Sequence, residues 1–214
     1  MLKITYRYWN LMIPLLVHSL KKQYGKDFAR EAKKQGKKIY RTMLEEAPDV
    51  GSDNPMASNI YESFVMLALY EGSGRKISEE GTRQMTRDLV GFPPLKIMGL
   101  AVDYRKAKGV QKENGQFHAC AEWIDKHPQY RELSWDFNFD DTRHEDGTFY
   151  WFTHCPIEQY CRSHDLIHIL PVICDIDEMT VQLLHARLVR HETLATNGKV
   201  CDYWIVGEDI RDPK

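Results

Sequence analysis

The chain lacks the short motifs that mark the commonest cofactor and nucleotide sites. Its 214 residues contain no Gly-x-Gly-x-x-Gly, no phosphate-binding loop and no Gly-x-Ser-x-Gly nucleophile turn. Low-complexity segments and convincing internal repeats are missing as well. Nothing in the sequence therefore indicates a bound cofactor, and none is expected.

Cysteines are few, and their spacing does not suit a metal site. There are five, and no two of them form a Cys-x-x-Cys pair. An interval of six separates Cys155 from Cys161, which is not typical of structural zinc. His164 and His168 are four apart and could share a helix face, but Pro171 would break such a helix. No metal site is predicted, and a site built from Cys, His and Asp is the alternative.

A secretion signal and a membrane span are missing from the predicted features. The segment Tyr8 to Leu20 is apolar, but it has no small-residue cleavage site, and Lys21-Lys22 follow directly. It is too short to span a bilayer, so an amphipathic core helix is the better interpretation. We therefore expect a cytoplasmic protein in a reducing compartment, whose odd number of thiols does not form a disulfide framework.

The chain also lacks a net charge that would suit nucleic acid, because its formal charge is -2. The charge is uneven, with nine Lys or Arg against four acids over 21–47 and sixteen acids against eight Lys or Arg over 131–214. A basic stretch at helical spacing is typical of a solvated helix face, with a partner site as the alternative. The expected partner is a small-molecule substrate, without nucleic acid or membrane, and a homo-oligomer is left open.

Helical periodicity dominates the first part of the chain. Apolar residues recur at helical spacing over 5–47, with a break near Gly25, and again over 56–71. Ser78 opens a helix over about 78–90, and further helices are predicted over about 95–108 and 115–126.

From residue 130 the pattern changes to strands and turns. Residues 133–140 alternate apolar and polar, and Phe149 to Thr153 reads as the returning strand. A helix follows from Pro156, the stretch 164–180 stays unassigned, and strands at Leu183 to Leu194 and Lys199 to Val206 flank a turn. The predicted fold is a single α+β domain over 1–214, in which a mainly helical part (1–128) packs on a small antiparallel sheet (129–214). Two C-terminal hairpins with a helical connection between them form that sheet.

Cys155 lies where a strand passes into a helix. The helix dipole and the free N–H groups at such a terminus favour a thiolate, which is the reactive form of a nucleophilic cysteine. Its neighbour His154 could assist. The alternative is an inert, packed thiol.

Cys174 and Asp177 are three residues apart and would share a face of a helix. Asp177 could then move a proton near a thiol-bound substrate. The alternative is that Asp175 or Asp177 caps the next segment, because Asp is a favoured N-cap residue.

Cys201 and Asp202 follow the last hairpin turn, and only one of them can face a given pocket because adjacent strand residues alternate. Arg190 and His191 are predicted on the facing strand. An Arg that points into a pocket suits a substrate carboxylate, which its planar fork can bind in two places. A cross-strand salt bridge at the surface is the alternative.

Three strings together resemble the L-2-amino-thiazoline-4-carboxylic acid hydrolase family. They are Thr-His-Cys-Pro at 153–156, Cys-x-x-Asp at 174–177 and Thr-Leu-Ala-x-x-Gly-x-x-Cys-Asp-Tyr at 193–203. The final hairpin is also similar to the vinyl-reductase type of small-molecule-binding domain. The chain departs from the family pattern at Lys199, where an acid is expected, and at Tyr203, where Phe is usual.

The resemblance implies hydrolysis of a C–N bond in a small cyclic amidine-like carboxylate, with thiolate attack on the ring carbon. It suggests Cys155 or Cys174 as the nucleophile, with Cys155 first, and Asp177 as the acid/base, with His191 or His154 as a weaker candidate. Arg190 would bind the carboxylate. Cys201 and Asp202 would line or support the pocket, and Cys161 would only pack. The alternative implied by the second resemblance is a small-molecule-binding domain without catalysis.

Overall fold

A computed structural model describes residues 2–93 and 102–211 of the chain. The helix predicted over about 95–108 lies largely outside these ranges. Seven α-helices occur within them: α1 Arg7–Tyr24, α2 Lys26–Glu46, α3 Ala57–Gly72, α4 Glu79–Val90, α5 Ala107–Lys126, α6 Pro156–Ser163 and α7 Leu170–Gln182. Four strands accompany them: β1 Phe137–Phe139, β2 Thr148–Phe152, β3 Ala186–Val189 and β4 Cys201–Gly207.

The helix boundaries predicted at Gly25 and Ser78 are confirmed, whereas the helix predicted over about 115–126 begins earlier, at Ala107. Gly25 separates α1 from α2 with φ +89°, a backbone angle that favours glycine. Ser78 caps α4, because its hydroxyl accepts the N–H of Gly81 at 3.0 Å. These local signals set the ends of the helices before any tertiary contact is considered.

The sheet has the strand order β1-β2-β4-β3, and every neighbouring pair is antiparallel. Both predicted hairpins are present, so the α+β prediction is confirmed. The strand predicted at Leu183 to Leu194 is shorter, because a turn through His185, with φ +54°, precedes β3.

The helical connection between the hairpins consists of α6 and α7. Pro171 was expected to break a helix here, and that expectation is wrong. Pro171 lies in the first turn of α7, where a missing N–H costs no hydrogen bond. The unassigned stretch therefore contains a regular helix, and that helix carries Cys174 and Asp177.

The two faces of the sheet have different surroundings. The inner face carries Tyr150, Phe152, Cys201, Tyr203 and Ile205 by register. Helix α5 packs on it through Phe117, whose ring centroid lies 4.3 Å from that of Tyr150. Helix α7 contacts the same face, so functional groups on β4 and α7 can meet there.

The outer face carries Phe149, Trp151, Asp202, Trp204 and Val206. The loop between β1 and β2 folds over part of it, and His144 stacks on Trp204 with ring centroids 3.7 Å apart. Phe149, Trp204 and Val206 form a small buried cluster of their own. The sheet thus separates two environments, and adjacent residues of one strand face different ones.

The main hydrophobic core contains residues from both parts of the chain, from Leu2 in the first to Ile205 in β4. Phe64 of α3 meets Tyr160 of α6 at a centroid distance of 4.5 Å. Tyr70 of α3 hydrogen-bonds the ring of His168 at 2.9 Å. The connection α6–α7 therefore packs against the helical part, which supports it.

Candidate functional site

Cys155 is the N-cap residue of α6 and lies three residues after the last residue of β2, at the strand-to-helix junction that the sequence predicts. Burial raises the pKa of its thiol to about 12, although the backbone N–H groups of Glu158 and Ile157 act in the opposite direction. The expected helix-terminus effect is therefore present, but desolvation exceeds it. In this state the Cys155 thiol carries its proton at neutral pH.

The segment before Cys155 is held by Asp136. Its carboxylate accepts the N–H of Thr153 at 2.8 Å and that of His154 at 2.6 Å, together with the hydroxyl of Thr153. These bonds connect the loop after β2 to the residue that precedes β1. Sequence reasoning missed Asp136, since an Asp before a strand has many alternative roles.

His154 presents an unused ring nitrogen. Its Nδ1 lies 2.5 Å from the carbonyl oxygen of Ser134, so Nδ1 carries the proton and donates it. Its Nε2 is buried and has no hydrogen-bond partner among the described residues. A buried acceptor without a partner is costly, which makes it a candidate contact for a ligand.

Cys174 and Asp177 both lie in α7, one turn apart, so the predicted shared face is confirmed. Burial raises the pKa of the Cys174 thiol well above its ordinary value, and the negative charge of Asp177 adds to this. Neither Asp175 nor Asp177 caps a helix. Asp175 instead forms an ion pair with Arg83 of α4 at 2.9 Å.

Arg190 joins Asp177 at the inner face. Its Nη2 donates to Asp177 Oδ2 at 2.8 Å, and its guanidinium lies 4.3 Å from the ring centroid of Tyr203. The side chain of Arg190 is only 17% exposed. The alternative of a cross-strand surface salt bridge is therefore wrong, because the partner lies on α7 and the guanidinium is largely buried.

One donor of that guanidinium has no partner. The Nε of Arg190 is buried and makes no hydrogen bond within the described part of the chain. Tyr203 donates its hydroxyl to Asp177 Oδ2 at 3.0 Å, so the carboxylate is already shared by two donors. Arg190 Nε consequently remains available for an anionic ligand group.

Cys201 lies on the inner face opposite Phe152, and its buried Sγ accepts the N–H of Leu194 at 3.2 Å. A negative charge on Cys201 would raise the pKa of both the Cys155 and the Cys174 thiol. A negative charge on Cys155 would likewise raise the pKa of the Cys174 thiol. These three thiols belong to separate elements, and we call them the thiol cluster: Cys155 at the N-terminus of α6, Cys174 in α7 and Cys201 in β4.

Cys161 is fully buried in the core, where burial raises its pKa, in keeping with the expected packing role.

His191 and Asp202 are not brought to the thiol cluster. They lie on the outer face, as strand alternation after Arg190 and Cys201 requires. Asp202 is buried and accepts the N–H of His191 at 2.9 Å, the N–H of Glu192 at 2.7 Å and His191 Nδ1 at 2.7 Å. Burial opposes ionisation, but these donors hold the pKa of the Asp202 carboxyl below its usual range.

Tyr203 belongs to the site and was not among the predicted residues. Its ring stacks on Tyr150 at a centroid distance of 4.9 Å, and burial, followed by the charge of Asp177, raises its pKa well above the ordinary value. Strand periodicity could have found it, because a residue two positions after Cys201 shares the same face. Lys199, the other departure from the family pattern, is exposed in the turn before β4.

His164 and His168 do not form a pair on one helix. His164 ends α6 and contacts Glu46 at 3.2 Å, whereas His168 precedes α7 and bonds Tyr70. Among residues 2–93 and 102–211, no group of three or more His, Cys, Asp or Glu side chains is arranged to hold a metal ion. None of the helices in these ranges combines the length and apolar character needed to cross a bilayer.

Comparison with protein families identifies the chain's relatives. Residues 58–205 match the family described as L-2-amino-thiazoline-4-carboxylic acid hydrolase, which is more than half of the chain. The chain belongs to this hydrolase family. The matched region runs from α3 almost to the end of β4, so it contains every member of the thiol cluster as well as Asp177 and Arg190. No curated protein and no solved structure matches the chain significantly.

Proposed function

We propose that this protein hydrolyses a C–N bond in a small cyclic amidine-like carboxylate that resembles 2-amino-thiazoline-4-carboxylate. The observation that carries the proposal is the buried Arg190, whose Nε has no partner, beside the thiol cluster of a chain in this hydrolase family. An unpaired guanidinium donor suits a carboxylate, and a thiol suits an electrophilic ring carbon.

In the proposed complex, Arg190 Nε donates to the substrate carboxylate. Asp177 keeps its hydrogen bond from Arg190 Nη2 and fixes the plane of the guanidinium. The ring of Tyr203, which already stacks on that guanidinium, limits the space on its other side. His154 Nε2 is the acceptor that remains for an N–H of the substrate amidine.

The chemical step uses Cys155, with Cys174 as the second choice. The Cys155 sulfur adds to the amidine carbon while its proton passes by way of the Asp177 carboxylate to the ring nitrogen. The exocyclic nitrogen then gives up a proton to the ring nitrogen, and the bond from the carbon to that ring nitrogen breaks. An imidodithiocarbonate remains, in which the carbon carries the Cys155 sulfur, the former ring sulfur and an imino nitrogen. Water adds to the same carbon and expels the Cys155 thiol, which leaves a carbamoyl product.

Binding without catalysis is the second candidate function, and the raised thiol pKa values favour it. A thiol with a pKa of about 12 is almost wholly protonated at neutral pH, so the ligand-free protein holds few thiolates. In this alternative Arg190 and His154 retain their binding roles, and the thiols only line the pocket.

Turnover of 2-amino-thiazoline-4-carboxylate, followed by mass spectrometry, tests the proposal in the purified full chain. Cys155→Ser should lower the rate about 1,000-fold or more, since it removes the nucleophile. The matched control is Cys120→Ser, because Cys120 lies on α5 and outside the thiol cluster. We expect the control to keep the wild-type rate.

The same assay separates the alternatives. Turnover that persists in the double variant Cys155→Ser, Cys174→Ser would exclude the thiol mechanism. A rise in melting temperature with the substrate, without turnover in any variant, would favour the binding function. Absence of both turnover and stabilisation would exclude both functions for this ligand class.

A further inference from the structure

The outer face of the sheet carries a groove that the thiol mechanism does not use. Its volume is about 240 Å³. The lining side chains combine aromatic, cationic and titratable groups: Arg143, Phe149, Trp151, His191, Glu192, Val200 and Asp202. Because the groove and the thiol cluster lie on opposite faces, one small molecule cannot occupy both.

A buried carboxylate orients the histidine at the edge of this groove. Asp202 accepts backbone N–H groups from His191 and Glu192 and also receives Nδ1–H of the His191 ring at 2.7 Å. The proton of the neutral ring is therefore on Nδ1, and Nε2 is an acceptor. The His191 side chain is 61% exposed, so that acceptor is open to a ligand.

The aromatic side chains provide a surface for a flat ligand. Trp151 lies opposite Asp202 on the neighbouring strand, and its ring centroid is 5.6 Å from that of Phe149. Trp151 is only partly buried, whereas Phe149 is almost completely covered. Trp151 consequently offers a ring face for stacking.

Arg143 gives the groove its positive charge. Its guanidinium lies 4.7 Å from the ring centroid of Phe149, and within the described ranges it forms no ion pair. Among the acids near Arg143, Asp202 already accepts the donors of His191 and Glu192. Asp140 accepts the Thr142 hydroxyl at 2.7 Å, and Glu192 accepts the N–H of Lys199 at 2.9 Å. Arg143 therefore suits an anionic group of a ligand.

We propose that this groove is a second ligand site, which binds a small aromatic or heteroaromatic carboxylate that also carries an O–H or N–H donor. The ring stacks on Trp151, the carboxylate pairs with Arg143, and the donor bonds His191 Nε2. The site is independent of the proposed hydrolysis, because it shares no side chain with the thiol cluster.

Binding of 4-hydroxybenzoate to the full chain, measured by calorimetry, tests the proposal. The compound has a flat ring, a carboxylate and an O–H donor, and 4-hydroxybenzamide is its neutral counterpart. Arg143→Gln should weaken binding of the acid about tenfold or more, since a charge-assisted bond is lost. His191→Asn should weaken it several-fold. The matched control is Arg131→Gln, since Arg131 is exposed and pairs with Asp125 away from the groove, and it should bind like the wild type.

A second measurement uses only the wild-type protein. Diethyl pyrocarbonate modifies accessible histidines, and peptide mass spectrometry locates the modified ring. Saturating 4-hydroxybenzoate should protect His191, and it should do so equally in Cys155→Ser. The proposal is overturned if His191 stays unprotected, if the neutral amide binds as well as the acid, if Arg143→Gln binds as tightly as Arg131→Gln, or if no binding occurs up to about 10 mM.

Discussion

Two effects oppose each other at the Cys155 thiol. The N-terminus of α6 provides backbone N–H groups that favour a thiolate, and this contribution follows from Cys-Pro at the start of a helix. Burial among the sheet and helices favours the protonated thiol, and it is the larger effect. A substrate that displaces water or brings its own proton acceptor would change this balance at Cys155.

The raised pKa predicts slow alkylation of the ligand-free protein. At pH 7 a thiol with a pKa near 12 is ionised in roughly one molecule in 10⁵, whereas an ordinary cysteine is ionised in a few per cent. The reaction of Cys155 with iodoacetamide should therefore be about 1,000-fold slower than that of glutathione. Since ionisation grows tenfold per pH unit below the pKa, the rate should still be rising at pH 10.

Peptide mass spectrometry of the alkylated protein checks this expectation, with Cys120→Ser as the control that removes signal from α5. Labelling of Cys155 at pH 7 that is as fast as that of glutathione would contradict the burial argument and would indicate an activated nucleophile.

Among the elements, the crossing of α2 and α3 depends on two glycines. A Cβ at Gly72 would lie 2.4 Å from the backbone nitrogen of Gly36 and 2.6 Å from the carbonyl oxygen of Ala32. Both contacts are backbone atoms, which cannot rotate away as a side chain could. Helices α2 and α3 therefore approach closely enough that only glycine fits at position 72. This contact fixes α3, which in turn packs against α6.

Gly72→Ala should lower the free energy of unfolding by about 2 kcal/mol or more, since the helices must separate. Gly115→Ala is the matched control, because Gly115 is exposed in α5 and a Cβ there meets nothing within 4 Å. That change should raise stability by about 0.5–1 kcal/mol through helix propensity. Urea denaturation measures both values, and equal effects of the two substitutions would refute the packing argument.

At the scale of the whole molecule, the main core contains residues of the helical part and of the sheet, from Leu2 to Ile205. A main core to which both parts contribute predicts that the described residues unfold as one cooperative unit. Far-ultraviolet circular dichroism follows mainly the helices. Trp9 lies in α1 and Trp123 in α5, so in the variant Trp9→Phe, Trp123→Phe tryptophan fluorescence follows only Trp135, Trp151 and Trp204 in the sheet part. The two urea transitions should coincide.

Separate midpoints for the two signals would show that the helical part and the sheet part are distinct domains. Gly72→Ala provides the internal check, because in a single unit a defect between α2 and α3 must shift the tryptophan transition as far as the helix transition.

Local chemistry was enough to predict several features of this protein. Ser78 and Gly25 set helix ends through their own backbone and hydroxyl groups, and alternation placed Cys201 and Asp202 on opposite faces. The three strings at 153–156, 174–177 and 193–203 together indicated the hydrolase family that the comparison confirms.

Other features depended on packing between distant parts of the chain. Helix α7 covers the inner face of the sheet. For this reason Arg190 meets Asp177, whereas His191 borders a groove on the outer face. Burial, which no local pattern measures, reversed the expected ionisation of Cys155. The sequence by itself determined the helices, the hairpins and the alternation of side chains, because these follow from neighbours along the chain. Only the tertiary structure decided which side chains share a dry environment, because desolvation depends on everything that packs around them.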